Sequence, residues 1–204
     1  MKVAVLLDGG YVRYQMKKVL KARPGPENIL KVANACVKPP DVLFRIYYYD
    51  CTLYEGEQVH PLTLKRREFK KQRAPHEGLA YEEHVAYRAG NLKWKGWQIT
   101  AAALRALIEG RKTAGDLAES DIEPTFNQKG VDMRIGLDTA WLASNRIVDN
   151  IVLVTADHDF IPAMKFARRE GVLVTIATIG KDSAGGMKQH ADMFRTITAA
   201  DLDI

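Results

Sequence analysis

Four aspartates stand where an α/β chain could gather them. Asp8 follows the apolar run Val3-Ala4-Val5-Leu6-Leu7, Asp157 and Asp159 follow Ile151-Val152-Leu153-Val154, and Asp132 opens the amphipathic stretch between them. Parallel strands end on one edge of their sheet, so residues just past each strand become neighbours. Carboxylates held that close repel one another unless a cation sits among them. An oxygen-only ligand set favours Mg²⁺ or Mn²⁺ over zinc. The chemistry this points to is metal-assisted phosphoryl transfer or hydrolysis.

Each residue also has a plainer reading. Asp8 could cap a helix beginning at Tyr11, with Gly9 and Gly10 making the turn or letting backbone approach a phosphate. No Gly-x-Gly-x-x-Gly follows the strand, so the turn is not a dinucleotide fingerprint. In Thr155-Ala156-Asp157-His158-Asp159-Phe160 one carboxylate suffices for a cap, and the second is a surplus. Thr155 is placed to offer a hydroxyl near a metal or to satisfy backbone, and His158 is expected at the surface. Asp132 suits the first turn of a helix, and Lys129 before it could reach a phosphate oxygen. Asp138 lies six residues on, about 240° around a helix from Asp132, which suits a supporting role behind the ligands. Trp94 and Trp97, interleaved with Lys93 and Lys95, could stack on bases or pack against a core.

These groups need elements to carry them. Residues 3–7, 42–49, 151–155 and 172–179 read as strands, with shorter candidates at 121–126 and 194–197. Helices are expected over 11–21, 27–37, 101–112, 130–144, 160–169 and 183–192. The alternation indicates a parallel sheet with helices on both faces, a three-layer α/β/α, Rossmann-like fold. Between about 52 and 100 the pattern loosens. A basic helix is expected over 62–72, another over 81–87, and a hairpin or two short extended pieces over 89–99. That stretch reads as an insertion in a single domain spanning 1–204.

The 204 residues are enough for one full core, and 47% hydrophobic content argues against disorder. No apolar run approaches the roughly 20 residues that cross a bilayer, so no membrane partner is expected. Cys36 and Cys51 are too few and too far apart for a metal site and suggest reduced thiols in a cytoplasmic protein. Net charge is +5, with a pI of about 9.1. Lys65, Arg66, Arg67, Lys70, Lys71 and Arg73 crowd one segment. A basic surface around an acidic pocket suits an anionic polymer held through a cation.

Taken together, four pieces resemble the NYN family, a branch of the PIN-like nucleases, and within it the bacterial LabA-like group. They are Leu7-Asp8-Gly9-Gly10-Tyr11, Arg45-Ile46-Tyr47-Tyr48-Tyr49-Asp50, Lys129-Gly130-Val131-Asp132 with Asp138, and Thr155-Ala156-Asp157-His158-Asp159-Phe160-Ile161-Pro162. Their order and spacing cover nearly the whole chain. The resemblance implies a PIN-like fold, endoribonuclease activity on single-stranded or structured RNA, and Mg²⁺ or Mn²⁺ held by Asp8, Asp132, Asp157 and Asp159. A homodimer is the further assembly that family type suggests. Two departures stand out: many members carry Asn where this chain has Tyr11, and Ser-Gly where it has Thr155-Ala156. Neither removes a carboxylate. Competing acidic-site folds fit less well. A Toprim-like site wants glutamate after the early strand and a haloacid-dehalogenase-like site wants Asp-x-Asp there, whereas this chain has Asp-Gly-Gly.

Overall fold

A computed structural model describes residues 1–70, 75–180 and 185–202. The chain divides into two compact units. The first comprises Met1–Asp50, Ala74–Gly90 and Gly130–Ile204; the second comprises Cys51–Arg73 and Asn91–Lys129.

The first unit is built around β1 (Lys2–Asp8), whose residues Val3 to Leu7 are all buried. An unbroken apolar run of this kind belongs to a strand covered on both faces. β1 pairs in parallel with β2 (Val42–Thr52) on one side and β7 (Asn150–Val154) on the other. β8 (Leu173–Ile179) and β9 (Met193–Ile197) extend the parallel sheet beyond β7. The N-terminal part of β5 (Val85–Ile99) lies beside β2, which gives the order β5-β2-β1-β7-β8-β9.

Val3, Val5 and Leu7 share a core with α1 (Gly9–Gln15) and α2 (Pro26–Ala35). Proline at the start of α2 fits the first helical turn, where its missing N–H is not needed. α4 (Val131–Ser144) and α5 (Ile161–Arg169) pack on each other and cover the other face. Val131, Ile135, Thr139 and Leu142 make the buried stripe of α4, at helical spacing. The strand and helix alternation over the parallel sheet is therefore as expected, and the three-layer α/β/α class holds. Among the described residues no helix is long and apolar enough to cross a membrane.

Cys36 closes α2, fully buried, its thiol donating to the Val32 carbonyl at 3.3 Å. Burial pushes that thiol up to about 12. Only the thiolate alkylates readily. Iodoacetamide at pH 8 should leave Cys36 unmodified in the native protein and modify it fully after denaturation, as read by peptide mass spectrometry. Rapid modification of the native form would show that this end of α2 opens freely.

The second unit departs most from expectation. The basic helix expected over 62–72 is not formed by its described residues, 62–70: β4 (Arg66–Phe69) pairs antiparallel with β3 (Gly56–Val59). Its pattern has period two, with Arg67 and Phe69 on one face and Arg66 and Glu68 on the other. Residues 81–87 are not helical either. A 3₁₀ turn ends at Tyr81 and β5 begins at Val85, in the first unit. The expected break within 89–99 is absent, because β5 runs through it. Gly96, at φ +138°, absorbs the disturbance as a bulge in the ladder between β5 and β6 (Ile122–Lys129). That pair is antiparallel. α3 (Ala101–Ile108) is capped by the Thr100 hydroxyl, which accepts from the Ala103 N–H at 3.2 Å. The helix expected over 183–192 reduces to a single 3₁₀ turn, Lys188–His190, among its described residues.

Candidate active site

Leu7 of β1 is paired with Val154 of β7, so Asp8 and Thr155 emerge side by side at the carboxyl ends of adjacent strands. The Asp8 carboxylate takes up both of its nearest donors. Oδ1 accepts the Tyr11 N–H at 3.2 Å, which caps α1, and Oδ2 accepts the Thr155 hydroxyl at 3.2 Å. Thr155 is buried and serves two partners, because its oxygen also accepts the Asp157 N–H at 3.1 Å. Asp157 in turn caps the turn His158–Phe160, accepting the Asp159 N–H at 2.9 Å. Phe160 is buried and anchors that turn, while Asp157, His158 and Asp159 face solvent. Asp132 lies in the first turn of α4, exposed.

The electrostatics tie these groups together. Burial raises the Asp8 carboxyl above the usual aspartate range, hydrogen bonds from Tyr11 and Thr155 pull against it, and the charges of Asp132 and Asp157 push it further up. Asp132 is raised too, by burial first and then by Asp157 and Asp159. Asp8 thus feels the charges of Asp132 and Asp157, and Asp132 feels those of Asp157 and Asp159. None of the four has an ion-pair partner among the described residues. Nor, among those residues, do three or more His, Cys, Asp or Glu side chains close into a ready-made metal shell. What the edge offers is carboxylates close enough to raise one another's protonation.

The supporting residues have varied places. A Cβ on Gly9 would stand 2.5 Å from the Tyr49 carbonyl oxygen and 2.6 Å from an Asp50 carboxylate oxygen, so packing against the end of β2 demands glycine there. Gly10 follows in the first turn of α1, half-buried. Asp138 is engaged elsewhere in the first unit: the Tyr49 hydroxyl donates to it at 2.8 Å and Arg88 pairs with it at 3.1 Å. Lys129 is the last residue of β6 and belongs to the second unit, as do Lys65, Arg66, Arg67 and Lys70. Arg66 pairs with Glu57 at 3.3 Å and Lys70 with Glu68 at 3.6 Å. Lys71 and Arg73 lie outside the described residues.

One constellation went unread in the sequence. Asp50, 1% exposed at the edge where β2 leaves the first unit, receives two hydrogen bonds from the Arg13 guanidinium at 2.6 and 2.9 Å. The Tyr48 hydroxyl adds a third at 3.0 Å, and His76 Nε2 lies 3.5 Å away. Arg13 sits on α1, whose first turn Asp8 caps. The signal was present: an acid directly after Tyr47-Tyr48-Tyr49 repeats the strand-then-aspartate pattern of Asp8.

Comparison with known proteins agrees with this architecture. The family model of the NYN domain matches residues 2–198. A solved structure from Vibrio parahaemolyticus RIMD 2210633, a protein of unknown function, is similar over 96% of this chain and 92% of its own, with a TM-score of 0.52 and 16% identity. At that identity the likeness extends to the fold alone. No curated protein matches.

Proposed function

Since the chain belongs to the NYN domain family, within the PIN-like nucleases, we propose that it is an endoribonuclease that hydrolyses RNA with Mg²⁺ or Mn²⁺ held by Asp8, Asp132, Asp157 and Asp159. The observation that carries this reading is that the charges of Asp132 and Asp157 bear on Asp8 and those of Asp157 and Asp159 on Asp132, with no ion-pair partner for any of the four among the described residues. Their chemistry fits a hard cation. Four carboxylates suit one or two ions, because Mg²⁺ keeps several waters and each ion is bound through one or two carboxylates beside substrate phosphate. When bound, such an ion supplies charge neutralisation at the phosphate and a more acidic water.

The chain's own residues do the positioning. Thr155 holds Asp8 and the Asp157 backbone in one geometry. Asp157 fixes the turn that presents Asp159. Lys129, three residues before Asp132 in the chain, is the proposed phosphate contact. Hydrolysis of this type leaves a 5′-phosphate and a 3′-hydroxyl. Lys65, Arg66, Arg67, Lys70, Lys71 and Arg73 are the proposed contacts to the RNA backbone, so binding should weaken as salt rises.

Incubation with single-stranded RNA is the test. The wild type should cleave in Mn²⁺ and not in EDTA, and Asp157→Asn should be slower by more than about 100-fold, beyond the effect of losing an outer partner of a metal ligand. Equal cleavage by both proteins would remove these residues from the site. A second reading has one observation in its favour: both Asp8 oxygens already accept protein hydrogen bonds. In that reading the fold binds RNA without cutting it, and the same assay would show retention without cleavage.

A further inference from the structure

The second unit holds an aromatic cluster that packing alone leaves unfinished. Tyr54, Phe69, Trp94 and Phe126 meet pairwise, with ring centroids 5.2 to 6.0 Å apart. All four rings are only half-buried. Phenylalanines in a core are among the residues most often fully buried, yet Phe69 and Phe126 keep part of their surface exposed. Here Tyr54, Phe69 and Phe126 wall a cleft of about 350 Å³, within the size range of small-molecule sites.

The other walls carry charge. Arg67 and Lys70 line the same cleft. The Arg67 guanidinium lies over the Phe69 ring at 5.4 Å and over Trp97 at 5.8 Å, so it is held in place by aromatic faces. Glu68, also on the wall, is paired with Lys70 at 3.6 Å. Trp97 serves as an anchor, its indole N–H donating to the Val59 carbonyl at 2.8 Å. An occupant that satisfies this cleft has a flat π-face for the rings and an anion for Arg67. An unpaired nucleotide has both, and base stacking on aromatic side chains tolerates any base.

We propose that the cleft bounded by Tyr54, Phe69, Phe126 and Arg67 takes one unpaired nucleotide of single-stranded RNA, base against the rings and phosphate against Arg67. The choice of a nucleic acid rests on the nuclease reading above. A base pair keeps its faces stacked within the duplex, so the cleft discriminates single strands from double strands.

The full-length protein tests this in EDTA, where binding is separated from cleavage. A ten-nucleotide single-stranded RNA should quench tryptophan fluorescence, and the blunt duplex of the same sequence should quench it much less. Phe69→Leu and Phe126→Leu should each weaken single-strand binding on the order of tenfold or more and leave duplex binding within twofold. Should either variant fail to fold by circular dichroism, Arg67→Gln, at an exposed position, should show the same selective loss. Equal quenching by single strand and duplex, unchanged binding by the folded variants, or displacement of the RNA by an aromatic peptide but not by AMP would each overturn the proposal. The two readings fail separately: cleavage without strand preference sinks the cleft alone, and strand preference without cleavage sinks the catalytic reading alone.

Discussion

Asp8→Asn should abolish Mn²⁺-dependent RNA cleavage and, in EDTA at neutral pH, raise the melting temperature. The fold survives the change because asparagine caps a helix as well as aspartate does, so the Tyr11 N–H keeps its acceptor. Cleavage should fall by more than about 100-fold. The stability gain follows from the raised Asp8 carboxyl, which is lifted by burial and by Asp132 and Asp157. The folded chain binds that proton more tightly than the unfolded chain. Stability from this group is therefore complete below the ordinary aspartate value of 3.8 and is lost as pH rises through the raised one. At neutral pH the charged carboxyl strains the metal-free fold, and the amide relieves it. Melts in EDTA across a pH series should show the two proteins converging towards acid and separating above it. A variant less stable than the wild type at neutral pH would mean that the hydrogen bonds from Tyr11 and Thr155 outweigh burial and repulsion. Added Mn²⁺ should stabilise the wild type more than the variant, since only binding to the folded state shifts the midpoint.

The second large effect concerns a pair away from these aspartates. Arg13→Leu should destabilise the protein by about 1–3 kcal/mol, because the buried Asp50 carboxylate loses two hydrogen bonds from a guanidinium that is itself one-third exposed. For a chain of this size that corresponds to a midpoint lower by roughly 2–12 °C. Asp50 would keep the Tyr48 hydroxyl and His76 near it but would lose a two-pronged cation. Removing the charge as well, in Arg13→Leu with Asp50→Leu, should recover part of the loss, because an apolar pair needs no solvation. A double variant less stable than Arg13→Leu alone would refute the ion-pair account. Activity per folded molecule should fall too. Arg13 ties α1 to the end of β2, and α1 begins at the turn whose first N–H groups orient Asp8.

Legibility in the sequence followed burial. The runs 3–7 and 151–154 are apolar because both their faces are covered, and a run of that kind announces a central parallel strand. Once two such strands are neighbours, Asp8 and Thr155 have to emerge together, so the edge could be anticipated from the chain alone. The second unit obeys weaker rules. In β4 the residues Arg66, Arg67 and Glu68 are charged on both faces, and charge density masks a period of two. In β5 the glycines at 90 and 96 look like turn residues, yet the strand passes through both and the second supports a bulge. Asp138 illustrates a different limit. Its place on a helix was readable, but its engagement by Tyr49 and Arg88 depends on which strands lie across from it.

Tyr11 stands where the sequence resemblance leads to an expectation of asparagine. Its hydroxyl accepts the N–H of Ile179, the buried last residue of β8, at 3.1 Å. With β7 lying between β1 and β8, the side chain spans three strand ends. A shorter asparagine could not bridge that distance, and an abandoned amide there would be worth about 1–3 kcal/mol against the fold. Position 11 and the exit from β8 therefore act as one unit: an asparagine at position 11 would call for another acceptor for the Ile179 N–H.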